Sequence, residues 1–328
     1  MGFLTDIPGI RVGHYTDSRR PTGCTVVLFD SPATAAVDVR GGAPGTRETD
    51  LLSPVNLVSH INAILFTGGS AFGLEAATGV VRYLEERQIG FDVGVARVPI
   101  VPAAVLFDLV VGDASIRPDA ESGYQACMAA SDGPVEEGSV GAGTGATVGK
   151  MLGFHRAMKG GIGTAAIHTA DGLCVAALIA ANPWGDVRDP RTGHILAGAR
   201  GEDGKTLVDP IRLMREGNLL DPFTPASSSN TTIGLVATNA ALTKTELTKV
   251  AQMAHDGLAR TIFPVHTPFD GDTIFAVAVP AYIKGQPFVT HPGRVGILAA
   301  EVVADAVIRA VQTAVGLPGI PGTAELEG

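Results

Sequence analysis

One junction constrains this chain more than any other. Residues 227–239 read Ser-Ser-Ser-Asn-Thr-Thr-Ile-Gly-Leu-Val-Ala-Thr-Asn, small and polar up to Asn230, then β-branched and apolar from Thr231 onward. Such a switch predicts a loop feeding a buried strand, here over Thr232 to Thr238, whose entry residue Thr231 carries a hydroxyl. If the Asn230–Thr231 bond were cut, one residue would hold both a hydroxyl nucleophile and a free α-amine. An α-amine ordinarily titrates at about 7.7–8.0, close to where a general base works best at neutral pH. Taken alone, the dipeptide favours an ordinary loop-to-strand junction, and Asn-Thr-Thr also fits a glycosylation sequon.

The rest of the chain reads as mixed α/β. Cys24 to Phe29 and Ile61 to Phe66 are short β-rich runs, and Gly68-Gly69-Ser70 leads into a helical pattern from Ala71 to Arg87. Pro99 and Pro102 make Val98 to Val111 extended or irregular. A glycine-dense stretch, Gly138 to Gly163, precedes a strand-like run from Cys174 to Ala181. Residues 186–228 are polar and rich in turn formers, with a short helical pattern at Pro210 to Arg215; they read as a surface excursion or processing linker. Beyond Thr231 the order is strand, helix, strand, helix. Thr243 and Glu246 form a capping box opening a helix to about Leu258; Thr273 to Val279 is a strand, and Val295 to Val315 a long helix. Each helix needs an apolar sheet face to cover, which predicts two stacked sheets flanked by helices. No composition break divides the 328 residues, so one unit is expected.

Charge and cysteine usage exclude several classes. A net charge of −9 argues against nucleic acid or an anionic membrane as partner. Cys24, Cys127 and Cys174 are odd in number and widely spaced, which suits small buried residues in a reducing compartment rather than a disulfide frame or zinc site. No signal peptide is visible, and no apolar run approaches the roughly 18 residues needed to span a bilayer. A soluble cytoplasmic protein is expected.

Two other patterns hold possible chemistry. Gly141-Ala-Gly143-Thr-Gly-Ala146 fits the loose dinucleotide fingerprint, but the preceding Ser131 to Val140 is a poor first strand. In His266-Thr-Pro-Phe-Asp270-Gly-Asp272, two carboxylates at i and i+2 share one side of an extended chain. By itself this is a solvated turn before a strand, and a metal site on His266, Asp270 and Asp272 is an alternative. As an acid pair it gains meaning only beside Thr231, whose amine needs carboxylates to orient it.

Taken together, these residues resemble a family. The likeness begins with Pro-Gly-Ile-Arg-Val-Gly-His from Pro8, Gly-Gly-Ala-Pro-Gly-Thr-Arg-Glu-Thr-Asp from Gly41 and Thr-Gly-Gly-Ser-Ala-Phe-Gly-Leu from Thr67. Gly-Ala-Gly-Thr-Gly-Ala-Thr-Val-Gly-Lys ending at Lys150, Lys-Gly-Gly-Ile-Gly-Thr from Lys159 and Asn182-Pro-Trp-Gly continue it. Asn230-Thr231-Thr-Ile and Phe-Asp270-Gly-Asp272-Thr-Ile-Phe close it. In that order the chain resembles the self-processing N-terminal-nucleophile hydrolases related to L-aminopeptidase/D-amidase-esterase, β-peptidyl aminopeptidases and nylon-oligomer hydrolases.

The resemblance implies a four-layer αββα sandwich, an amide or peptide substrate, no cofactor or metal, and a homo-oligomer, a tetramer of αβ units. It implies a precursor cut into residues 1–230 and 231–328, with Thr231 the nucleophile freed after Asn230. Asn182 matches the side chain that completes an oxyanion hole, Asp270 and Asp272 the acid pair, and Lys150 a lysine beside the nucleophile. Val105, Phe107 and Asp108 line up with a substrate-binding stretch where aminopeptidases tend to carry Glu and Tyr. Val105 cannot pair with a substrate ammonium and Phe107 lacks the phenol, which leaves Asp108 as the acidic group there. Two other readings stay open: a non-catalytic small-molecule-binding protein on the same fold, and the metal-dependent hydrolase.

Overall fold

The apolar runs pair into one extensive mixed sheet. The computed structural model describes residues 2–219, 230–283 and 285–326. Its main sheet comprises β1 (Ile10–Thr16), β2 (Gly23–Val39), β3 (Thr46–Arg47), β4 (His60–Thr67), β5 (Ala103–Val105), β6 (Gly161–His168), β7 (Cys174–Asn182), β8 (Thr231–Thr238) and β9 (Thr273–Ala278). The order is β6-β7-β8-β9-β2-β4-β5-β3, with β1 also paired to β2. The β8–β9 and β4–β5 pairs are parallel, and the other neighbours run antiparallel.

β2 is where this sheet becomes two layers. Its first half pairs with β1 and β4, and its second half, Thr34 to Val39, pairs with β9. Between Leu28 and Ala33 the register against β4 shifts, and Asp30, Ser31 and Pro32 are exposed. Such a bulge bends a strand and re-aims the residues beyond it. The sequence predicts two stacked sheets; the structure has two stacked layers that share one strand, because β2 is long enough to serve both.

Alternation along the strands then builds three apolar seams. Val175, Ala177 and Ile179 of β7 face two helices, while Ala176, Leu178 and Ala180 face the opposite layer. In β4, Ile64 and Phe66 point inward between the layers and Ala63 and Leu65 point out. The outer faces are covered by α1 (Ala76–Glu85) and α2 (Ala120–Met128) on one side. A short α3 (Pro210–Arg215) follows, and α4 (Lys244–Thr261) and α5 (Pro292–Gln312) cover the other side. The result is the expected helix–sheet–sheet–helix sandwich. The Thr243–Glu246 capping box forms, and the three cysteines are buried and free. Among the described residues no helix is long and apolar enough to cross a membrane.

Two expectations need correction. The helix expected from Ala71 starts as a 3₁₀ helix, Ser70–Glu75, before becoming α1. Gly73 presses on the Gly68 carbonyl, where any Cβ would collide, so this turn is wound more tightly than an α-helix. Residues 186–228 are not simply a surface excursion. Asp186–Arg188 and Ile195–Ala197 pair as strands, and Val187 and Ala197 are buried beneath α4 and α5. Polar turn residues between them hid these short apolar segments; residues 220–229 lie outside the described residues.

The glycine-dense stretch is held by a buried cation rather than a nucleotide. Gly141–Gly143 is a single 3₁₀ turn running into the two-residue strand Thr147–Val148, so the strand-to-helix layout of a dinucleotide site is missing. Lys159 is fully buried, and its Nζ donates to the carbonyls of Gly143 (2.9 Å), Ala146 (3.0 Å) and Gly160 (2.8 Å). An ammonium has three donors, and here each finds an acceptor. Lys159→Met keeps the stem but strands these carbonyls; unsatisfied buried groups cost about 1–3 kcal/mol each. Chemical denaturation of Lys159→Met is expected to show a loss of about 3 kcal/mol or more; unchanged stability would contradict the clamp.

Candidate active site

Strand pairing brings the candidate residues to one end of the sheet. Asn182 ends β7, and its antiparallel partner across the ladder is Thr231, the first residue of β8. β9 runs parallel to β8 and starts at Thr273, so Asp272 stands at the same end as Thr231. Arg40 and Gly41, just beyond β2, donate their main-chain N–H groups to the Asp272 carbonyl at 2.9 and 3.2 Å. Ala43 N–H likewise reaches the Asp270 carbonyl at 2.8 Å. A Cβ on Gly41 would collide with the Asp270 carbonyl oxygen, so only glycine permits this brace.

The scissile candidate is held from both sides. The Thr231 hydroxyl donates to the carbonyl of Asn230, and Gly271 N–H donates to the same oxygen at 3.0 Å. Gly271 also approaches the nucleophile candidate closely: a Cβ there would stand 2.8 Å from Thr231 Oγ. Thr231 is only 5% exposed and Asn230 2%, so bulk water has little access to this peptide bond.

Asn182 is fixed by its oxygen. Oδ1 accepts from Lys150 Nζ (3.0 Å), Thr147 N–H (2.9 Å) and the Thr147 hydroxyl (3.3 Å). Lys150 also donates to the Asn182 carbonyl at 3.1 Å. These contacts turn Nδ2 the other way, where it donates to the Phe107 carbonyl at 3.1 Å. Residue type alone does not single out Thr147; its signal is its place in the Gly-rich run ending at Lys150.

The acid pair divides. Asp272 Oδ1 accepts from Thr232 N–H at 2.7 Å, and Oδ2 accepts from the His266 main chain (3.1 Å) and ring Nδ1 (2.8 Å). Asp270 instead accepts from Trp184 N–H (3.3 Å), Thr267 N–H (3.0 Å) and the Thr267 hydroxyl (2.6 Å). The two carboxylates therefore serve different partners, although neighbouring positions on an extended chain suggest a common one. Among the described residues no group of three or more His, Cys, Asp or Glu side chains is arranged to hold a metal ion, so His266, Asp270 and Asp272 do not form the alternative metal site.

Burial sets the protonation chemistry. It pulls Lys150 down to about 7 against the attraction of Asp270 and Asp272. Burial, reinforced by the neighbouring charge of Asp272, lifts Asp270 to about 6. Both groups can thus exchange a proton near neutrality, which few lysines or aspartates do.

The proposed substrate-binding stretch behaves differently from its expectation. Val105 is buried and its N–H donates to the Gly45 carbonyl at 3.0 Å. Both oxygens of Asp108 are taken: Oδ1 by Arg20 (2.9 Å) and Gly69 N–H (2.9 Å), Oδ2 by the Thr22 hydroxyl (2.6 Å). Arg20 and Asp108 are both enclosed, and the pair braces the Gly68-Gly69 turn. Of the three, Phe107 is joined to the site, through its carbonyl on Asn182.

Comparison with known proteins identifies the family. The model of Peptidase family S58 matches residues 3–324. A protein named as an uncharacterized aminopeptidase of Mycobacterium bovis is 44% identical over 340 residues, covering 98% of this chain and 96% of its own length. The 6-aminohexanoate-oligomer endohydrolase of Kocuria sp. is 34% identical over 319 residues, covering 94% and 85% respectively. Among solved structures, the beta-aminopeptidase of Burkholderia sp. superposes with a TM-score of 0.72 at 25% identity, over 99% of this chain and 92% of that one. The L-aminopeptidase D-Ala-esterase/amidase of Ochrobactrum anthropi, described as a variant of the Ntn hydrolase fold, superposes with a TM-score of 0.72 at 21% identity, over 99% and 91%. With its sandwich of two sheet layers between helices and a family match along nearly its whole length, this chain is a member of peptidase family S58.

Proposed function

We propose that this protein is an amide and peptide hydrolase that activates itself by cutting its own chain between Asn230 and Thr231. The observation that carries this reading is the Asn230 carbonyl, which receives the Thr231 hydroxyl and Gly271 N–H together. Thr231 Oγ attacks that carbonyl carbon, and the peptide nitrogen leaves with a proton as the Thr231 amine, giving an ester. Water then cleaves the ester, releasing the Asn230 carboxylate and restoring the hydroxyl. In turnover the freed amine takes the hydroxyl proton, Oγ forms the acyl-enzyme, and water completes hydrolysis.

In this reading Asn182 serves the oxyanion. Its NH₂ carries two hydrogens, one of them on Phe107, and an oxyanion donor typically lowers a barrier by roughly 2.7–4 kcal/mol. Before cleavage no α-amine exists, so the first step needs another base; the group assigned to it in this reading is Lys150, held on Asn182, the ladder partner of Thr231, and titrating at about 7. The test of the cut is electrophoresis with N-terminal sequencing: wild type is expected to give a fragment beginning at Thr231, and Thr231→Ala to remain one chain. Cleavage elsewhere, or in Thr231→Ala, would overturn the reading.

The pH dependence follows from Lys150. Only the neutral amine accepts a proton, and with a pKa pulled to about 7 its neutral fraction rises as pH increases through that value. Precursor loss is expected to accelerate from about pH 6 to 8 and level off above. Lys150→Met should flatten this slope and slow cleavage by about 10²–10⁴-fold, the usual worth of a general base. Stopped time courses across pH check both.

Substrate choice follows from the Val105–Asp108 stretch. With the Asp108 carboxylate committed to Arg20, Thr22 and Gly69, no acid in that stretch is left to hold a substrate ammonium. Peptides with an acylated N-terminus are therefore expected to be hydrolysed with kcat/KM comparable to their free-amine forms. A strict requirement for the free amine in that assay would refute this.

A further inference from the structure

His266 touches the candidate site but has no part in the proposed chemistry of cleavage and turnover. Its main-chain N–H and its ring Nδ1 both reach the same oxygen, Asp272 Oδ2, at 3.1 and 2.8 Å. A carboxylate oxygen only accepts, so the ring carries its proton on Nδ1. The other oxygen, Oδ1, holds Thr232 N–H at 2.7 Å, and the Asp272 side chain is enclosed. The carboxylate thus bridges His266 and the residue immediately after Thr231.

The backbone is committed to this arrangement. His266 has φ +56°, in the left-handed region that residues with a Cβ seldom adopt, histidine less rarely than most. That turn lets two donors of one residue converge on one oxygen. Behind the ring stands His255, with centroids 4.8 Å apart and planes at 73°. His255 Nε2 lies 3.1 Å from the Asp38 carbonyl, and burial lowers its pKa to about 4, so this neighbour is uncharged at neutral pH.

We propose that His266 is a positioning residue: through Nδ1 it locks the Asp272 carboxylate, which holds Thr232 N–H and so aims Thr231 Oγ at the Asn230 carbonyl. The role rests on the self-cleavage reading. A misplacement of about 1 Å at a reacting atom can cost 10²-fold in rate, so a group acting only through geometry can still control cleavage.

Three variants separate positioning from bulk. His266→Asn places an amide N–H where Nδ1 stands and tolerates a left-handed backbone. His266→Gln carries its nitrogen further out, level with Nε2, and His266→Ala has no donor. Precursor cleavage is followed for each, with thermal melting recorded on the same variants built in a Thr231→Ala background. His266→Asn is expected within about tenfold of wild type, and the other two slower by about 10²-fold or more. Nitrogen-15 NMR of the Thr231→Ala precursor is expected to show the His266 proton on Nδ1, a signature available even if a variant fails to fold. An unprotonated Nδ1, wild-type cleavage in His266→Gln and His266→Ala, or equal slowing in all three with equal loss of melting temperature would each overturn the role. A wild type that stays uncut, or a Thr231→Ala chain that cuts, would instead overturn the self-cleavage reading, so the two failures are distinguishable.

Discussion

The ladder contact between Asn182 and Thr231, at the last residue of one strand and the first of the next, anchors everything at this end of the sheet. Because β8 and β9 run parallel, the start of β9 must lie beside the start of β8, which brings Asp272 within 2.7 Å of Thr232 N–H. Because β2 pairs with β9, the Arg40–Ala43 segment leaves the sheet directly against the 270–272 turn. Backbone pairing is stiff and its register is set by which face is buried. A one-residue slip would turn Thr231 to the opposite face and expose the core side of β8 to the helices.

Packing in this region is closed by small residues and by buried charged groups that are hydrogen-bonded or paired, while Thr232 Oγ1, His255 Nδ1 and His266 Nε2 are buried with no hydrogen-bond partner among the described residues. Gly41 and Gly271 let main chains approach where any Cβ would collide. Lys159 gathers three carbonyls, Arg20 and Asp108 neutralise one another, and Lys150 is enclosed beside Asn182. Burying charge is expensive unless it is paired or hydrogen-bonded, and otherwise the group shifts its pKa. Both outcomes occur: the Arg20–Asp108 pair is matched in charge and hydrogen bonds, whereas Lys150 and Asp270 move to about 7 and 6. Lys159 moves to about 7 in the same way while serving only as a clamp, so it is position beside Asn182 and Thr231, and not the shift alone, that singles out Lys150 and Asp270.

Much of this was legible in the chain. The polar-to-apolar switch at Thr231, the Thr243–Glu246 capping box and the strand-like runs that become β7 and β8 each depend on neighbours in sequence, and each appears in the structure. The strand from Asp186 is hidden in the sequence because turn formers surround it, and the 3₁₀ start before α1 is hidden because its cause, Gly73 on Gly68, is a packing contact. Asp108 illustrates the limit of residue type. An acid in a substrate-binding stretch could face a ligand or the core, and only Arg20, 88 positions away, decides that it faces the core.

The sequence by itself determined the α/β class, the Thr243–Glu246 capping box, the hydroxyl at the head of a buried strand and the set of polar residues available to it. Those come from short-range periodicity and from chemistry carried by single side chains. Tertiary structure decided how that set is divided: Asp272 to Thr232 and His266, Asp270 to Thr267 and Trp184, Asn182 to Lys150 and Thr147. Strand order made the choices between elements, Asp272 with Thr232 and Asp270 with Trp184, since which strands lie side by side sets which of their end residues meet; the His266 and Thr267 contacts are made within the 266–272 turn itself. Strand order depends on how β2 bends to serve two layers, and no local pattern encodes that.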